Sequence, residues 1–566
     1  MNAPDELLDA IYLGDDPDSA ALMLADWYEE RDQPHWAWLI RLSVFRRQTA
    51  MMDPRWEYWD ELRSLWIERH RADWFAGYPW QQWEPEPAAR GDWFDDWGQP
   101  VAFQHLAGRQ PGQSPGEWNA ACWRDLPLRR TRFYGGTADT QAAVEPILSQ
   151  LRGISLAQFA EENDRIFDWL GNSKQPIQLE SLAVELPNSR ALQHPAFRHS
   201  EAVERLRSLA VRLPAAAEMS GIRWGETIWA KRLRSLMLRA EDGGESWPRL
   251  VVHPITDRAV FPELENLRLE RFSLDWPVEA RGPMQGWNPT RKLRNLVLAE
   301  VTTGRNWAVL GAHWRWCGVE SLRLEFAQWH AGLQAFLAPF PAGGTLRHLE
   351  FRLGDLSAEN WERFCDWPGF ATLNRCLIHA STLPQVGFEP FVSAVSQSDI
   401  RHLELIQMRD ESGGDWETMA LEHLAESLRP GQLLGLRLRL GGEFNLSESA
   451  FEAMVRLLSA PSTAKLRSFE WQVSLDGERL SRLVDALRLP HLRRLKFRFS
   501  RPYQCNLHAL LTSPQLPRLA CVMVDSDVRV MAPESWQSVS LGGRGQVFTE
   551  LSRIQPDEPF QESIWR

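Results

Sequence analysis

The sequence predicts an α/β solenoid, in which short parallel strands alternate with helices, preceded by a small all-α domain. A six-residue motif with apolar first, fourth and sixth positions recurs along the chain, as in Leu206-Arg-Ser-Leu209-Ala-Val211 and Leu233-Arg-Ser-Leu236-Met-Leu238, whose first residues are 27 positions apart. The segments between copies show helical periodicity. One such unit cannot bury its own leucines, so the stacking of units must provide the core.

The motif sets the phase of the predicted array, residues 179–525, with about 13 repeats. Alternation of apolar and polar positions predicts a strand in each copy. Between strands, helices are predicted at Ser447–Leu458, with Ser447 as the N-cap, and at Gly477–Leu487. The first apolar residues of the copies are Leu179, Leu206, Leu233, Leu264, Leu293, Val319, Leu346, Leu373, Ile400, Leu433, Leu466, Leu492 and Leu519.

This L-x-x-L-x-L pattern resembles the leucine-rich repeat family. The resemblance implies a horseshoe with parallel strands on the concave face and helices on the convex face. The asparagine that usually follows the strand in that family is mostly absent here, so the curvature is expected to be irregular. Residues 526–566 are expected to form a C-terminal cap and an acidic tail, with Gly542–Gly545 as a turn.

Residues 1–72 are predicted to be helical. Asp18 is the expected N-cap of a helix that ends near Arg31, and further helices are expected at Trp36–Arg47 and Trp56–Arg71. The run Leu24-Ala-Asp-Trp-Tyr-Glu-Glu-Arg-Asp32, with its flanking leucines, resembles the bacterial repeat-companion domain, a module that typically precedes leucine-rich repeats. That family usually has glycine where Asp32-Gln33 closes the helix. The resemblance implies a bacterial protein and assigns the module no chemistry.

Residues 73–178 are predicted to be a Trp-rich linker and N-terminal cap with degenerate repeats. Its aromatic residues alternate with prolines and acids, which excludes one long helix. The segment either covers the open end of the solenoid or binds a partner, because tryptophan dominates interface hot spots. Leu128–Phe133 fits a degenerate strand, whereas Leu151–Leu156 fits a strand or a helix. The candidate partner-binding tryptophans are Trp80, Trp83, Trp93 and Trp97.

Composition limits the function classes. A net charge of −12 argues against affinity of the whole protein for nucleic acid or anionic membranes, although a local basic patch remains possible. No apolar run approaches the roughly 18 residues that span a bilayer, and the start of the chain lacks a secretory pattern. Six cysteines without a C-x-x-C pair indicate a reduced, cytoplasmic protein with neither disulfides nor a zinc site.

Candidate binding residues follow from the strand phase, because the third, fifth and seventh positions of each copy point away from the core. Early copies carry small residues there, middle copies mixed charges and late copies bases, which suits a protein or an acidic peptide. The candidates are Arg268, Arg323, Glu350, Arg352, Arg375, His379, His402, Glu404, Arg437, Arg439, Arg494, Lys496 and Arg498.

The sequence therefore favours a non-catalytic scaffold that binds a partner macromolecule, most directly a protein, on its concave face. Such a chain could serve as a recognition or regulatory subunit of a bacterial complex. One alternative is a nucleic-acid-associated subunit that uses the late basic repeats. A second is an enzyme based on His348, His379 and His402 with Glu350 and Glu404, since histidine beside carboxylate suits acid–base or metal chemistry. That cluster lacks a recognisable nucleophile or ligand spacing, and no nucleotide-binding or hydrolase motif is found. No metal, cofactor, small-molecule substrate or membrane contact is expected.

Overall fold

The computed structural model describes most of the repeat region and part of the N-terminal helices. Two compact units divide the chain, residues 1–325 and 326–566, with the division inside one strand. The described residues are 6–7, 10–11, 16–49, 59–60, 63, 66–67, 70, 101–105, 130–134, 153–157, 179–186, 188–215, 217, 219, 222–241, 247–275, 288–303, 307–328, 331–341, 343–383, 387–407, 415–440, 447–499, 507–519, 521–525, 537–543 and 546–552.

The N-terminal unit begins with the helices Pro17–Glu29 and Pro34–Gln48. Asp16 caps the first of them by accepting a hydrogen bond from the backbone N–H of Ser19. The expectation that Asp18 is the N-cap is wrong, because Pro17, which needs no hydrogen-bonded N–H, is the first helical residue and the cap lies two residues earlier, at Asp16. Positions 59–60, 63, 66–67 and 70 are also helical, within the expected helix Trp56–Arg71.

These helices pack through their apolar sides. Leu24, Ala25, Tyr28, Ile40 and Val44 are buried in one cluster, as the helical spacing of apolar residues requires. On the polar side, the guanidinium of Arg41 lies 2.7 Å from Asp26 and 2.5 Å from Glu29. Burial lowers the pKa of Arg41, but these two carboxylates outweigh it and raise the pKa overall. The acids at the end of the first helix therefore join the two helices.

The N-terminal unit contains a large parallel sheet and a small one. Strands β1–β6, β8, β10 and β12 pair in parallel, in that order, while β7, β9 and β11 form the second sheet. The strands are β1 (Val101–His105), β2 (Arg130–Tyr134), β3 (Gly153–Ala157), β4 (Ser181–Glu185), β5 (Ser208–Leu213), β6 (Ser235–Ala240), β7 (Arg249–Val251), β8 (Asn266–Glu270), β9 (Ser273–Asp275), β10 (Asn295–Ala299), β11 (Thr302–Thr303) and β12 (Ser321–Gln328).

The repeat phase read from the motif is confirmed by the strand register. Leu182, Leu209, Leu236, Leu267 and Leu296 pair directly across successive strands, and all five are buried. Each fully buried leucine contributes about 1.5–3 kcal/mol, so this ladder is a main source of stability. The ladder also extends before Leu179, because β1, β2 and β3 continue the same parallel pairing.

The repeat pattern predicts a helix between successive strands. In the N-terminal unit, most described segments between strands instead lack an α-helix. Most described turns are short 3-10 helices, and aromatic rings fill the space behind the sheet: the Trp229 ring lies 5.3 Å from Phe197 and 6.3 Å from Phe261. The 3-10 helices are Ser189–Gln193, Glu201–Val203, Trp224–Glu226 and Trp229–Arg232, and the α-helices are Pro195–His199 and Trp307–Trp316.

The C-terminal unit is the more regular one, with strands and helices in alternation. Strands β13–β19 pair in parallel. The strands are β13 (His348–Asp355), β14 (Arg375–Thr382), β15 (His402–Gln407), β16 (Gly435–Arg439), β17 (Ser468–Leu475), β18 (Arg494–Phe499), β19 (Cys521–Asp525), β20 (Gln537–Gly543) and β21 (Gln546–Ser552). The helices are Ala331–Leu337, Ala358–Cys365, Phe388–Gln397, Asp415–Ser427, Glu448–Ser459, Gly477–Ala486 and His508–Leu511, with 3-10 helices at Pro368–Thr372 and Pro461–Thr463.

Local signals explain these helices well. Ser447 accepts a hydrogen bond from the N–H of Ala450, which confirms the predicted N-cap. Behind the sheet, the rings of Trp361 and Phe391 pack 4.4 Å apart between neighbouring repeats.

At the end of the chain, β21 pairs antiparallel with β19 and with β20. This hairpin covers the strand edge that β19 would otherwise expose to intermolecular pairing. Gly542 and Gly543, which were expected to lie in a turn, are instead the last residues of β20, because they pair with β21. The expected four-part division of the chain stays a prediction, and residues 73–100 of its Trp-rich linker lie outside the described residues.

Candidate partner-binding surface

The polar side of the C-terminal sheet carries most of the predicted binding residues. We call it the C-terminal strand face and define it as the third, fifth and seventh positions of β13–β18. Because the strands pair in register, equal positions form rows that cross the sheet, except that a register shift after Trp471 pairs Arg498 of β18 with Ser474 and interrupts the seventh-position row. The fifth-position row reads Glu350, Leu377, Glu404, Arg437, Glu470 and Lys496.

A continuous chain of ion pairs runs along this face. Oε1 of Glu404 lies 2.6 Å from Nε2 of His379 and 3.0 Å from Nη1 of Arg437. Oε1 of Glu470 lies 3.0 Å from Nε of Arg437 and 3.1 Å from Nζ of Lys496. The five residues come from β14, β15, β16, β17 and β18. With strands about 4.8 Å apart, the chain spans about 19 Å.

The carboxylates in this chain lie at the bottom of the face. Glu404 and Glu470 are both about 6% exposed, whereas the side chain of Arg437 between them is 28% exposed. Burial alone raises the pKa of a carboxyl group, but the hydrogen bond from His379 and the charges of Arg437 and Arg375 lower the pKa of Glu404 below its usual value. Glu404 is therefore a buried anion that depends on its cationic neighbours.

On β13, too, a buried carboxylate is paired with a more exposed base. Nε of Arg352 lies 2.7 Å from Oε1 of Glu350, and the arginine side chain is 47% exposed while that of the glutamate is 1% exposed. Arg375, on the next strand, is buried. Acidic groups thus form the floor of the C-terminal strand face, and basic groups form much of its outer layer.

The third-position row places His402 against a glycine. An ideal Cβ built on Gly435 would lie 2.4 Å from Nδ1 of His402, and the two residues pair directly in adjacent strands. Any side chain at position 435 would therefore displace the imidazole. The glycine lets His402 lie across the neighbouring strand.

The described charges of the C-terminal strand face are not balanced. Its six lysine and arginine side chains exceed its three carboxylates by three positive charges, in a chain whose net charge is −12. The six cations are Arg352, Arg375, Arg437, Arg439, Arg494 and Lys496. Arg439 and Arg494 are half-buried.

The sheet of the N-terminal unit also pairs acids with bases on its polar face, but its acids are not all buried. Arg268 lies 3.1 Å from Glu270 and 3.6 Å from Glu325, and Arg323 lies 3.7 Å from the same Glu325. The Glu325 side chain is as exposed as that of Arg323. Both signs of charge thus reach solvent in this unit.

The structure brings several predicted residues together and leaves others untested. His379 and Glu404 are joined, as are Glu350 and Arg352, whereas the side chain of Arg498 and all of Trp80, Trp83, Trp93 and Trp97 lie outside the described side chains. Glu470 was absent from the candidate residues, although its place between Arg437 and Lys496 in the fifth-position row was a usable signal. Within the described part of the chain, no group of three or more histidine, cysteine or acidic residues is arranged to hold a metal ion.

Comparisons with known proteins add little to this description. No family model matches the chain, and no curated protein matches it significantly. One solved structure that it resembles is that of the Rad7 and Elc1 complex in yeast, with 14% sequence identity, coverage of 94% of this chain and 95% of the matched chain, and a TM-score of 0.28. Among the described helices, none is long and apolar enough to cross a membrane. The architecture, a parallel sheet built from a repeated strand motif, is that of a repeat protein.

Proposed function

We propose that this protein is a non-catalytic scaffold of the leucine-rich repeat type that binds a partner protein on its C-terminal strand face. The observation that carries the proposal is the ion-pair chain from His379 to Lys496. It holds side chains from five strands in one arrangement, and a surface ordered before binding loses less conformational entropy when a partner docks.

The same chain argues against catalysis at the histidine cluster. A general base needs to reach a substrate proton within hydrogen-bond distance. Nε2 of His379 is instead directed at Glu404, and the same carboxylate oxygen is engaged by Arg437. These three groups stabilise one another, and Nε2 of His379 is not directed at solvent.

The remaining parts of the proposal rest on the sequence. The N-terminal helices serve as a repeat-companion domain of a bacterial, cytoplasmic protein. Trp80, Trp83, Trp93 and Trp97 provide a second contact for the partner, because exposed tryptophans supply large apolar contact areas.

The test is affinity capture from a lysate of the encoding organism, with candidate partners identified by mass spectrometry and then purified. The bait is the full chain, compared with a face variant, Arg352→Gln with Arg439→Gln and Arg494→Gln. The control variant removes three exposed cations outside the strand face, Lys465→Gln with Arg488→Gln and Arg518→Gln. We expect the purified partner to bind wild type and control equally and to lose most of its affinity for the face variant. A partner that binds all three equally would place the interface elsewhere.

A further inference from the structure

We infer that the partner segment recognised by the C-terminal strand face is an acidic polypeptide in extended conformation. This inference rests on the proposed function and specifies the chemistry of the ligand. It follows from the difference in burial between the two signs of charge: the three carboxylates are buried, whereas every described lysine and arginine of the face except the buried Arg375 is more exposed.

Burial decides which charges a ligand meets. A protein that approaches the face meets Arg352 and Arg437 before it meets Glu350 or Glu404, because the arginines are much the more exposed members of these pairs. The count of charges points the same way, with three more cations than carboxylates on a chain of net charge −12. Complementary charge speeds association and disfavours partners of the wrong sign.

The N-terminal unit provides an internal contrast. There, the side chains of Glu325 and Glu185 are 20% and 24% exposed, against 6% for Glu404, and the described rows hold four arginines against three glutamates. An acidic ligand would meet exposed carboxylates on that sheet. The C-terminal strand face is therefore the better site for such a ligand.

The spacing of the cations favours a peptide over a nucleic acid. Arg352 and Arg439 occupy the same row on β13 and β16, three strands or about 14 Å apart. About four residues of extended polypeptide cover this distance at roughly 3.3 Å per residue. The half-buried His379 and the buried Ile406 lie between them in the same row, so no further lysine or arginine separates the two cations. An acidic peptide with an apolar residue between its acids fits this row, whereas a phosphate backbone carries a charge at every nucleotide.

The experiment measures fluorescence anisotropy of labelled twelve-residue probes with the full chain at low ionic strength. The first peptide carries glutamate at every fourth position with leucine midway between, and the second replaces each glutamate with glutamine. A third probe is single-stranded oligothymidylate of twelve nucleotides. We expect the glutamate peptide to bind at least tenfold more tightly than the glutamine peptide, and the face variant to lose at least tenfold in affinity while the control variant binds like wild type.

The alternative outcomes are distinct. Stronger binding of oligothymidylate than of the glutamate peptide would replace the inference with nucleic-acid recognition. Equal binding of the two peptides, no binding of either, or equal effects of the face and control variants would overturn it. If binding of the captured partner depends on the C-terminal strand face but the glutamate peptide does not compete with it, the proposed function stands and the inference of an acidic ligand is wrong. If no partner depends on the face, the proposed function itself fails.

Discussion

Nε2 of His379 lies 2.6 Å from Oε1 of Glu404, although 25 residues separate them along the chain. The contact exists because β14 and β15 are neighbours in the sheet and place both side chains on the same polar face. It makes a buried carboxylate part of a row that continues through Arg437, Glu470 and Lys496. The energetics of the C-terminal strand face therefore depend on Glu404.

Replacing Glu404 with alanine is expected to destabilise the C-terminal unit by about 3–5 kcal/mol, because the loss of one partner leaves buried charge uncompensated. Urea unfolding would measure the change. The control is Glu359→Ala, which removes an exposed ion pair with Arg363 on a helix and should cost no more than about 0.5 kcal/mol. Equal effects of the two substitutions would show that the ion-pair chain contributes little.

We expect that position 435 must be glycine because the imidazole of His402 occupies the space that a side chain would need. Gly435→Ala forces the imidazole out of its place and should cost about 1–3 kcal/mol, as overpacking does. The second substitution His402→Ala in the same chain should restore much of the loss, because the added methyl group then has space. Thermal unfolding of the single and double variants checks this. Additive losses would indicate that position 435 is constrained by something other than His402.

The N-terminal unit is expected to lose stability in mild acid through His313. Its Nε2 lies 2.8 Å from Oγ1 of Thr256 in the core, and burial, with a smaller contribution from the charge of His253, sets the pKa of His313 well below its usual value. The unfolded chain therefore binds a proton that the folded chain resists. The contribution of His313 to the free energy of unfolding should therefore be complete above about pH 6.5. It should decrease as the pH falls, by up to about 1.4 kcal/mol per pH unit for this one group.

The variant His313→Gln removes this titration. We expect its melting temperature to fall less than that of wild type between pH 7.5 and pH 5.5, whatever its stability at pH 7.5. His199→Gln, at an exposed histidine, should retain the wild-type dependence. Identical pH profiles for wild type and His313→Gln would assign the acid sensitivity to other groups.

Asp32 is expected to tolerate glycine better than a branched residue. Its φ of 55° lies in the left-handed region, where glycine has no steric penalty and other residues lose roughly 1–2 kcal/mol. Asp32→Val should therefore destabilise the helical pair by about that amount, whereas Asp32→Gly should be neutral or better. Glu30→Val, at an exposed position with a right-handed φ of −59°, is the matched control in thermal unfolding. An equal effect at both positions would contradict this reading of the turn.

The left-handed conformation of Asp32 also explains a feature of the sequence. Aspartate is among the few residues other than glycine that adopt positive φ with little strain, and it lies in the turn between the two N-terminal helices. Local sequence also predicted the cap at Ser447, which is confirmed, and it held the correct signal at the first helix, where Pro17 rather than Asp18 marks the start.

The sequence by itself determined which residues are buried in the repeats, because the alternation of apolar and polar positions in a strand is a local property with a fixed period. The phase set by Leu206 and Leu233 places their successors in the core throughout the described repeats. Burial depth and pairing on the opposite face were decided only by the tertiary structure. Glu404 is buried because His379 and Arg437 arrive from neighbouring strands, and no pattern within one repeat records which side chains those strands bring.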